Sequence, residues 1–450
     1  MLTFIYRQQV EAMLVLEAKL KGKQSQYNSI DEAIRTALFI RNKALRHWID
    51  NKDVGKNDLS SLCAVLAKEF DFANKLNSMA RQASADRAWL AIAGFYDKCK
   101  KKKPGKKGFP RFKKRGHSVE YKTSGWKLSA DRKHITFSDG FNIGKLKIVG
   151  TRDLSFYSIK QIKRVRIVKR ADGYYCQFCV DVERTELHQH NGKQIGIDVG
   201  LEFFYTDSDG KTVENPRLLP KSEKSLKRKQ RKVSKCKKGS SNRRKAVKKL
   251  AKKHLKVSRQ RKDFAVKTAR ALVQSNDLVV YEDLQVRNMV KNHHLAKSIS
   301  DASWSLFTDW VDYYAKVFDT WAIAVAPRYT SQDCSVCGTR VKKSLSTRTH
   351  KCHKCGTVMH RDHNAAKQIL AKGIKNTVGH TQINDRWTEQ PLSRWGNSSR
   401  QVDWLKEESH TLKVWECQKT DIRIIQVRSQ LIFSKNTHVY ISLFSYLPTQ

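Results

Sequence analysis

Two sets of residues in this chain have the types and the spacing to do chemistry. The first is a pair of knuckles, Cys334-x-x-Cys337 and Cys352-x-x-Cys355, each followed by a glycine, Gly338 and Gly356. Each knuckle offers two thiolates to one tetrahedral ion, and four thiolates close its shell, so the expected occupant is one structural Zn²⁺. His350, His353, His360 and His363 stand nearby as further donors. The paired knuckles already satisfy zinc, and two matched pairs argue against a redox dithiol. The second set is three acids, Asp198, Glu282 and Asp362. Carboxylate oxygens are hard ligands that suit Mg²⁺ or Mn²⁺. Two such ions about 3.5–4 Å apart activate a water and stabilise the leaving oxygen of a phosphodiester. One acid alone is as readily a salt bridge or a helix cap; the trio in its surroundings reads as a metal site.

The elements that must carry these acids are legible around them. Asp198 interrupts Gln194-Ile195-Gly196-Ile197-Asp198-Val199-Gly200, a strand with an acid at its centre. Such a carboxylate is costly among apolar neighbours unless it is paired or binds a cation. Glu282 sits where the run Leu278-Val279-Val280-Tyr281-Glu282-Asp283-Leu284 stops being apolar, after a long helix. Open α/β sheets place their sites at such C-terminal strand ends. Asp362 lies in Arg361-Asp362-His363-Asn364-Ala365-Ala366, which opens a helix. Two strands and one helix start can bring three acids to one point.

Upstream, Leu14, Leu16, Ala18 and Leu20 alternate as in a strand. Ser29 and Glu32 form a capping-box signature. Ile34, Leu38, Arg41, Leu45 and Trp48 then fall at helical spacing, as do Met79, Ala83, Trp89, Ile92 and Tyr96 over 76–97. The segment 29–97 therefore reads as a helical module. From 133 to 186 the pattern is β, with strands at 135–137, 146–148 and 165–168 and a turn at Asp172-Gly173 leading into 174–182. Cys176 and Cys179 sit on opposite faces of that last strand and are read as packing residues.

Charge sets the partner. Lys and Arg total 89 against 42 acids, a net +47. So large an excess repels itself, and a phosphate backbone relieves it through counterion release; a basic housekeeping protein has the same composition. The excess is concentrated. Lys106, Lys107, Phe109, Arg111, Phe112, Lys113 and Lys114 interleave charge with aromatic rings in a Gly/Pro-broken linker, which suits phosphate contact with base stacking. Residues 221–262 hold 21 Lys or Arg and one acid, Glu223. Gly239-Ser240-Ser241-Asn242 breaks this run into two helices, with Val247, Leu250 and Val257 as a narrow apolar seam. Arg243, Arg244, Lys248, Lys249, Lys252 and Lys253 are its candidate phosphate contacts. No signal peptide or membrane span is expected. The protein is expected in the cytoplasm, its cysteines reduced.

The motifs as a set carry a family resemblance. Asp198 in GIDVG, Glu282 in VVYEDL, the double CxxC and then RDHNAA resemble the split RuvC motifs of the TnpB family. GFPRFKK, DGYYCQF, TSQDCSVCG and STRTHKC also match, over roughly residues 13–380. The resemblance implies a multidomain α+β and α/β chain. It would have an RNase H-like RuvC nuclease domain with an inserted four-cysteine zinc ribbon. An oligonucleotide-binding-like β-barrel wedge domain, interrupted by a helical recognition module, would precede it. The implied layout is 1–12 as an extension ahead of a start at Met13, 13–28 as the first wedge strand, 29–100 as the recognition lobe and 101–190 as the wedge barrel. The nuclease would occupy 191–333 and 356–380, with the ribbon at 334–355 and a disordered tail at 381–450.

By motif, Asp198, Glu282 and Asp362 would be catalytic ligands of two Mg²⁺ (or Mn²⁺) ions, and Cys334, Cys337, Cys352 and Cys355 would hold the zinc. The implied partners are a guide RNA from the transposon end and a double-stranded DNA target with a short adjacent motif. The implied activity is that of a monomeric, RNA-guided DNA endonuclease of a transposable element. A cleavage-deficient guided DNA-binding protein and a transposase proper are the alternatives. One departure stands out: the family commonly has an acid at His360, and losing that charge weakens the outer shell of a metal site.

Overall fold

The computed structural model describes residues 13–101, 108–150, 153–182, 184–344 and 346–378. The chain divides into two compact units. The first takes the residues up to Glu186 together with Ser225–Leu255; the second takes Leu187–Lys224 and the residues from Lys256 onward. Residues 1–12, Lys106, Lys107 and the tail from 381 lie outside the described residues.

The first unit begins with strand β1 (Met13–Lys21) and then departs into four helices: α1 (Gln24–Asp50), α2 (Lys56–Glu69), α3 (Asp71–Asn74) and α4 (Ser78–Lys100). Ile30, Ala33, Ile34, Ala37, Ile40, Ala44 and Leu45 form the buried stripe of α1, at three- and four-residue steps. The helix starts at Gln24, ahead of the Ser29 signature. Gln26 reaches back to accept a hydrogen bond from the Lys23 N–H at 2.9 Å, doing the job assigned to Glu32.

The chain returns through β2 (Ser118–Tyr121), β3 (Trp126–Leu128), β4 (His134–Phe137), β5 (Gly144–Val149), β6 (Ile162–Arg170) and β7 (Gly173–Asp181). With β1 they form a seven-stranded sheet in the order β2-β6-β7-β1-β5-β4-β3, antiparallel throughout. β2 and β3 stand at the two ends of this order, and among the described residues no ladder joins them. Cys176 and Cys179 are both buried, because both faces of β7 are covered. Glu120 on β2 is also buried. Arg166 Nη2 meets its carboxylate at 2.8 Å and Arg164 Nη1 at 3.2 Å.

The second unit is built on β8 (Gln194–Val199), β9 (Phe203–Asp207) and β10 (Thr212–Glu214), an antiparallel meander. Helices α5 (Leu218–Lys235) and α6 (Ser241–Gln274) follow, then β11 (Leu278–Glu282), α7 (Val286–Met289), α8 (Ala296–Ala302), α9 (Trp304–Phe318) and β12 (Trp321–Val325). The sheet order is β10-β9-β8-β11-β12, with β8, β11 and β12 parallel. A two-stranded ribbon, β13 (Thr349–Lys351) and β14 (Val358–His360), runs directly into α10 (Arg361–Val378). The ribbon thus extends past Cys355, through His360.

Period-two alternation divides this sheet's faces. Ile195, Ile197, Val279 and Tyr281 belong to one core with Ala269 and Val273 of α6 and Phe307, Val311 and Phe318 of α9. Leu278 and Val280 point the other way, into a core with Val325 and Ile369 of α10. Asp198 shares the parity of Gly196, and Glu282 that of Leu278 and Val280. Both acids therefore leave the sheet on the face that α10 covers.

Candidate active site

The register of two parallel strands brings the first two acids level. Tyr281 pairs with Ile197, the last position of that ladder, and Glu282 and Asp198 are the next residue of each strand. The third arrives on α10. Gly196 makes this possible: a Cβ there would stand 2.3 Å from the Ala366 carbonyl oxygen, so only glycine lets α10 lie so close to β8. That approach sets Asp362, in the first turn of α10, over the end of β8, where a Cβ on Gly200 would stand 4.0 Å from its Oδ2. The electrostatics follow. Burial pushes the Asp198 carboxyl well above the usual carboxylate range; the neighbouring Glu282 and Asp362 push it further, and Arg361 opposes them. Burial likewise raises Glu282, against a hydrogen bond from Thr330 and the charge of Lys372. Such a cluster calls for cations, and its all-carboxylate donor set fits hard divalent ions.

His360 has a local role at the start of this helix. Its Nδ1 accepts the backbone N–H of Asp362 at 3.3 Å, so the imidazole serves as the cap of α10.

The four cysteines converge. Their sulfurs all lie within 4.8 Å of one another, with Cys334 to Cys355 at 3.7 Å and Cys337 to Cys352 at 3.5 Å. A tetrahedron of Zn–S bonds of ~2.3 Å has edges of about 3.8 Å, so the set fits one zinc ion. Thr339 hydrogen-bonds the Cys337 thiol and holds it at about 6, the thiolate form a metal requires. Two of the nearby histidines are engaged elsewhere. His350 is buried against Lys343, and His363 Nε2 lies 3.2 Å from the Ser208 carbonyl. Asn364 and Gln368 of α10 clasp the first knuckle. Their amides donate to the carbonyls of Asp333 at 2.8 Å and Cys334 at 2.7 Å, and Asn364 Oδ1 accepts the Ser335 N–H.

The candidate nucleic-acid contacts lie in the first unit and differ among themselves. Phe109 and Phe112 are both exposed, yet each has a neighbour. Phe109 packs on Trp48 and Phe95, and Arg46 stacks over Phe112. Arg41 donates to the Arg111 carbonyl, and Asn42 pairs with the Lys113 backbone, which straps 111–113 along α1. The side chains of Arg111 and Lys114 are exposed. On α6, Arg244, Lys248, Lys249 and Lys252 are exposed and Lys253 is half-buried. Arg243 instead donates to the carbonyls of Val233 at 2.7 Å and Cys236 at 3.2 Å, closing the turn between α5 and α6. Val247 is a correction: it is exposed, and the buried seam runs through Ala246, Leu250 and Val257. The small side chain of Ala246 hid the true phase of the helix.

Two features had no signal in the sequence. Thr330, buried in the loop ahead of the ribbon, donates its hydroxyl to Glu282 Oε1. Asp277, fully buried, accepts from His188 Nε2 at 2.6 Å, from His190 Nδ1 and from the backbone N–H groups of Asn191 and Gly192. These bonds satisfy both carboxylate oxygens and clip the start of β8 to the start of β11.

Fold and site together define a class of protein. Three carboxylates gather on one face of a mixed sheet, and a four-cysteine ribbon is spliced between the last strand and the helix that bears the third acid. Residues 177–293 match the family described as "Probable transposase", OrfB of the IS605 type, and residues 304–369 match the Cas12f1-like TNB domain. Both stretches resemble proteins of the TnpB family. A Streptomyces pristinaespiralis protein named "Putative RNA-guided DNA endonuclease" is 39% identical over 46% of this chain and 50% of its own length. The Escherichia coli K12 protein "Putative RNA-guided DNA endonuclease InsQ" is 28% identical over 59% of this chain and 68% of its own. The chain thus spans about half the length of the Streptomyces relative. A solved chain from a structure titled as a Cas12f1–sgRNA–target DNA complex is 16% identical, covers 77% of this chain and 82% of that one, and superposes with a TM-score of 0.48; so loose a likeness carries no argument.

Proposed function

We propose that this chain is an RNA-guided DNA endonuclease of a transposable element. Its second unit would be an RNase H-like, RuvC-type nuclease and its first unit the wedge and recognition lobe. The observation that carries the reading is the gathering of Asp198, Glu282 and Asp362 on the face of the sheet that α10 covers. The names of the relatives support it.

In this reading the three carboxylates hold two Mg²⁺ or Mn²⁺ ions, which supply an activated water and charge stabilisation for an in-line displacement at phosphorus. Asp198 and Glu282 present oxygens from adjacent strand ends, and α10 adds Asp362 from above. The four-cysteine set holds one zinc, a closed site with a structural role. Base pairing with a guide RNA from the transposon end supplies sequence specificity, and the protein supplies phosphate contacts and readout of a short motif beside the target. The exposed Lys and Arg of α6 and of the 109–115 strap serve that purpose. Among the described residues no helix is long and apolar enough to cross a membrane.

The test is cutting of a supercoiled plasmid that carries a match to the RNA copurifying with the protein. Nicked or linear product is expected with Mg²⁺ and none with EDTA. A plasmid left intact in Mg²⁺, with guide and target both bound, would refute the nuclease reading.

A further inference from the structure

Glu282 differs from the two acids beside it. Among the described residues no side chain hydrogen-bonds the carboxylate of Asp198 or Asp362, whereas Glu282 Oε1 accepts the hydroxyl of Thr330. The difference matches the side chains. Glutamate has one more torsion than aspartate, and a carboxylate at a strand end loses more freedom in settling on one direction.

The loop that carries Thr330 is itself anchored. Thr330 is 3% exposed. Two residues earlier, the Arg328 carbonyl accepts Lys372 Nζ of α10 at 2.6 Å. Between them Tyr329 sits at φ 64°, in the left-handed region. A bulky residue adopts that conformation only where its surroundings over-determine it, and such residues cluster at functional sites. Here the surroundings are two guanidinium groups, Arg340 at 3.6 Å and Arg328 at 5.0 Å from the ring centroid. Lys372 and Asp362 belong to the same helix, so the loop that orients the second acid is fastened to the element that carries the third.

We infer that Thr330 is a positioning residue for Glu282. Its hydroxyl engages one carboxylate oxygen and leaves the other for the cluster shared with Asp198 and Asp362. The inference rests on the reading of that cluster as a divalent-cation site.

Three variants separate the hydroxyl from packing. Thr330→Val fills the space without the hydroxyl, Thr330→Ala opens it, and Thr330→Ser keeps the hydroxyl. Mn²⁺ binding to the full-length, zinc-loaded protein without nucleic acid, read by electron paramagnetic resonance of the free ion, reports on the site without turnover. Outer-shell partners of metal ligands are typically worth 10–100-fold in affinity, so Val and Ala should each weaken Mn²⁺ binding about tenfold and Ser should stay within about threefold of wild type. The Mg²⁺ concentration for half-maximal cutting should rise in step, with saturating Mg²⁺ restoring most of the rate. If Val and Ala bound Mn²⁺ like wild type while Glu282→Gln lost it, the role of Thr330 would be overturned and the cation site would stand. Serine behaving like valine would also overturn it, by showing that packing alone matters. If Glu282→Gln itself bound Mn²⁺ normally, the cation-site reading would fall instead.

Discussion

Gly196 and Ala366 approach so closely that a Cβ on the glycine would stand 2.3 Å from the alanine's carbonyl oxygen and 2.7 Å from the Leu370 nitrogen. Both opposing atoms are backbone, so no side chain can swing aside. Gly196→Ala must lift α10 from β8, and overpacking of this kind costs about 1–3 kcal/mol. Because α10 carries Asp362, the expected result is a lowered Tm together with weakened Mn²⁺ binding. Unchanged Mn²⁺ affinity in a destabilised variant would show that the first turn of α10 does not move with the rest of the helix.

The acids should act as a unit. Asp198→Ala, Glu282→Ala and Asp362→Ala are each expected to bind guide and target and to abolish cutting, since electrostatic stabilisation is usually the largest single catalytic term. Combining two of them should add little. Asp283→Ala is the control: it follows the strand end, with its N–H on the Val325 carbonyl, and should retain much of the activity. A plasmid assay on the four variants decides this, and normal cutting by all three alanine variants of the trio would sink the site.

Zinc should be stoichiometric. Metal analysis should find about one ion per chain, as a single four-cysteine site implies. Cys352→Ser should lose it, and because structural zinc contributes folding energy directly, the ribbon should loosen. Proteolysis between residues 334 and 360 should then accelerate. Zinc-free wild-type protein that resists protease equally well would contradict the assignment.

The basic helix invites a graded test. Lys248→Glu, Lys249→Glu and Lys252→Glu alter exposed positions of α6 and should weaken nucleic-acid binding and flatten its salt dependence. Each lost phosphate contact removes about 0.9 from the slope of log affinity against log salt on B-form DNA. Arg243→Glu should behave differently, because that guanidinium closes the α5–α6 turn; its loss should appear first as a lower Tm. An unchanged salt slope in the triple variant would place those lysines away from phosphate.

Glu120 predicts an acid limb of stability. Burial alone would raise its carboxyl, but Arg87, Arg166 and Arg164 outweigh that and bring it from 4.5 to about 2. A depressed carboxyl stabilises the fold fully above its unfolded value, and the contribution is lost as pH falls from about 4.5 through 2. Glu120→Gln removes the buried negative charge that Arg166, Arg87 and Arg164 face, and should cost about 3–5 kcal/mol at neutral pH. Urea titrations at pH 7 and pH 3 should show the difference between wild type and variant shrinking in acid. A constant difference would mean that the arginines do not stabilise the charged form.

The candidate chemistry of this chain is written locally, in short runs of its sequence. Two CxxC pairs are recognisable because one ion needs four sulfurs at short spacing. Asp198 and Glu282 stand out because acids are costly in apolar runs, and Asp362 because it opens a helix. The strands β1 and β4 to β7 were legible for the same reason, since alternation is a property of neighbours. The start of α1 was not, because a side chain reaching back from Gln26 outcompeted the signature at Ser29. The phase of α6 was not, because an alanine and a valine side by side leave the buried one undecided until the helix packs.

Only the tertiary structure decided which residues meet. The level placement of Asp198 and Glu282 depends on the register of two strands joined through α5 and α6. The depth of α10 depends on the missing Cβ at Gly196. Thr330 is one hydroxyl in a loop, with no period to betray it, and it becomes a partner of Glu282 only when β11 and the loop after β12 are side by side. Local propensity and burial cost act between sequence neighbours. Pairing and hydrogen bonds between distant segments exist only once packing has met the entropy cost of bringing those segments together.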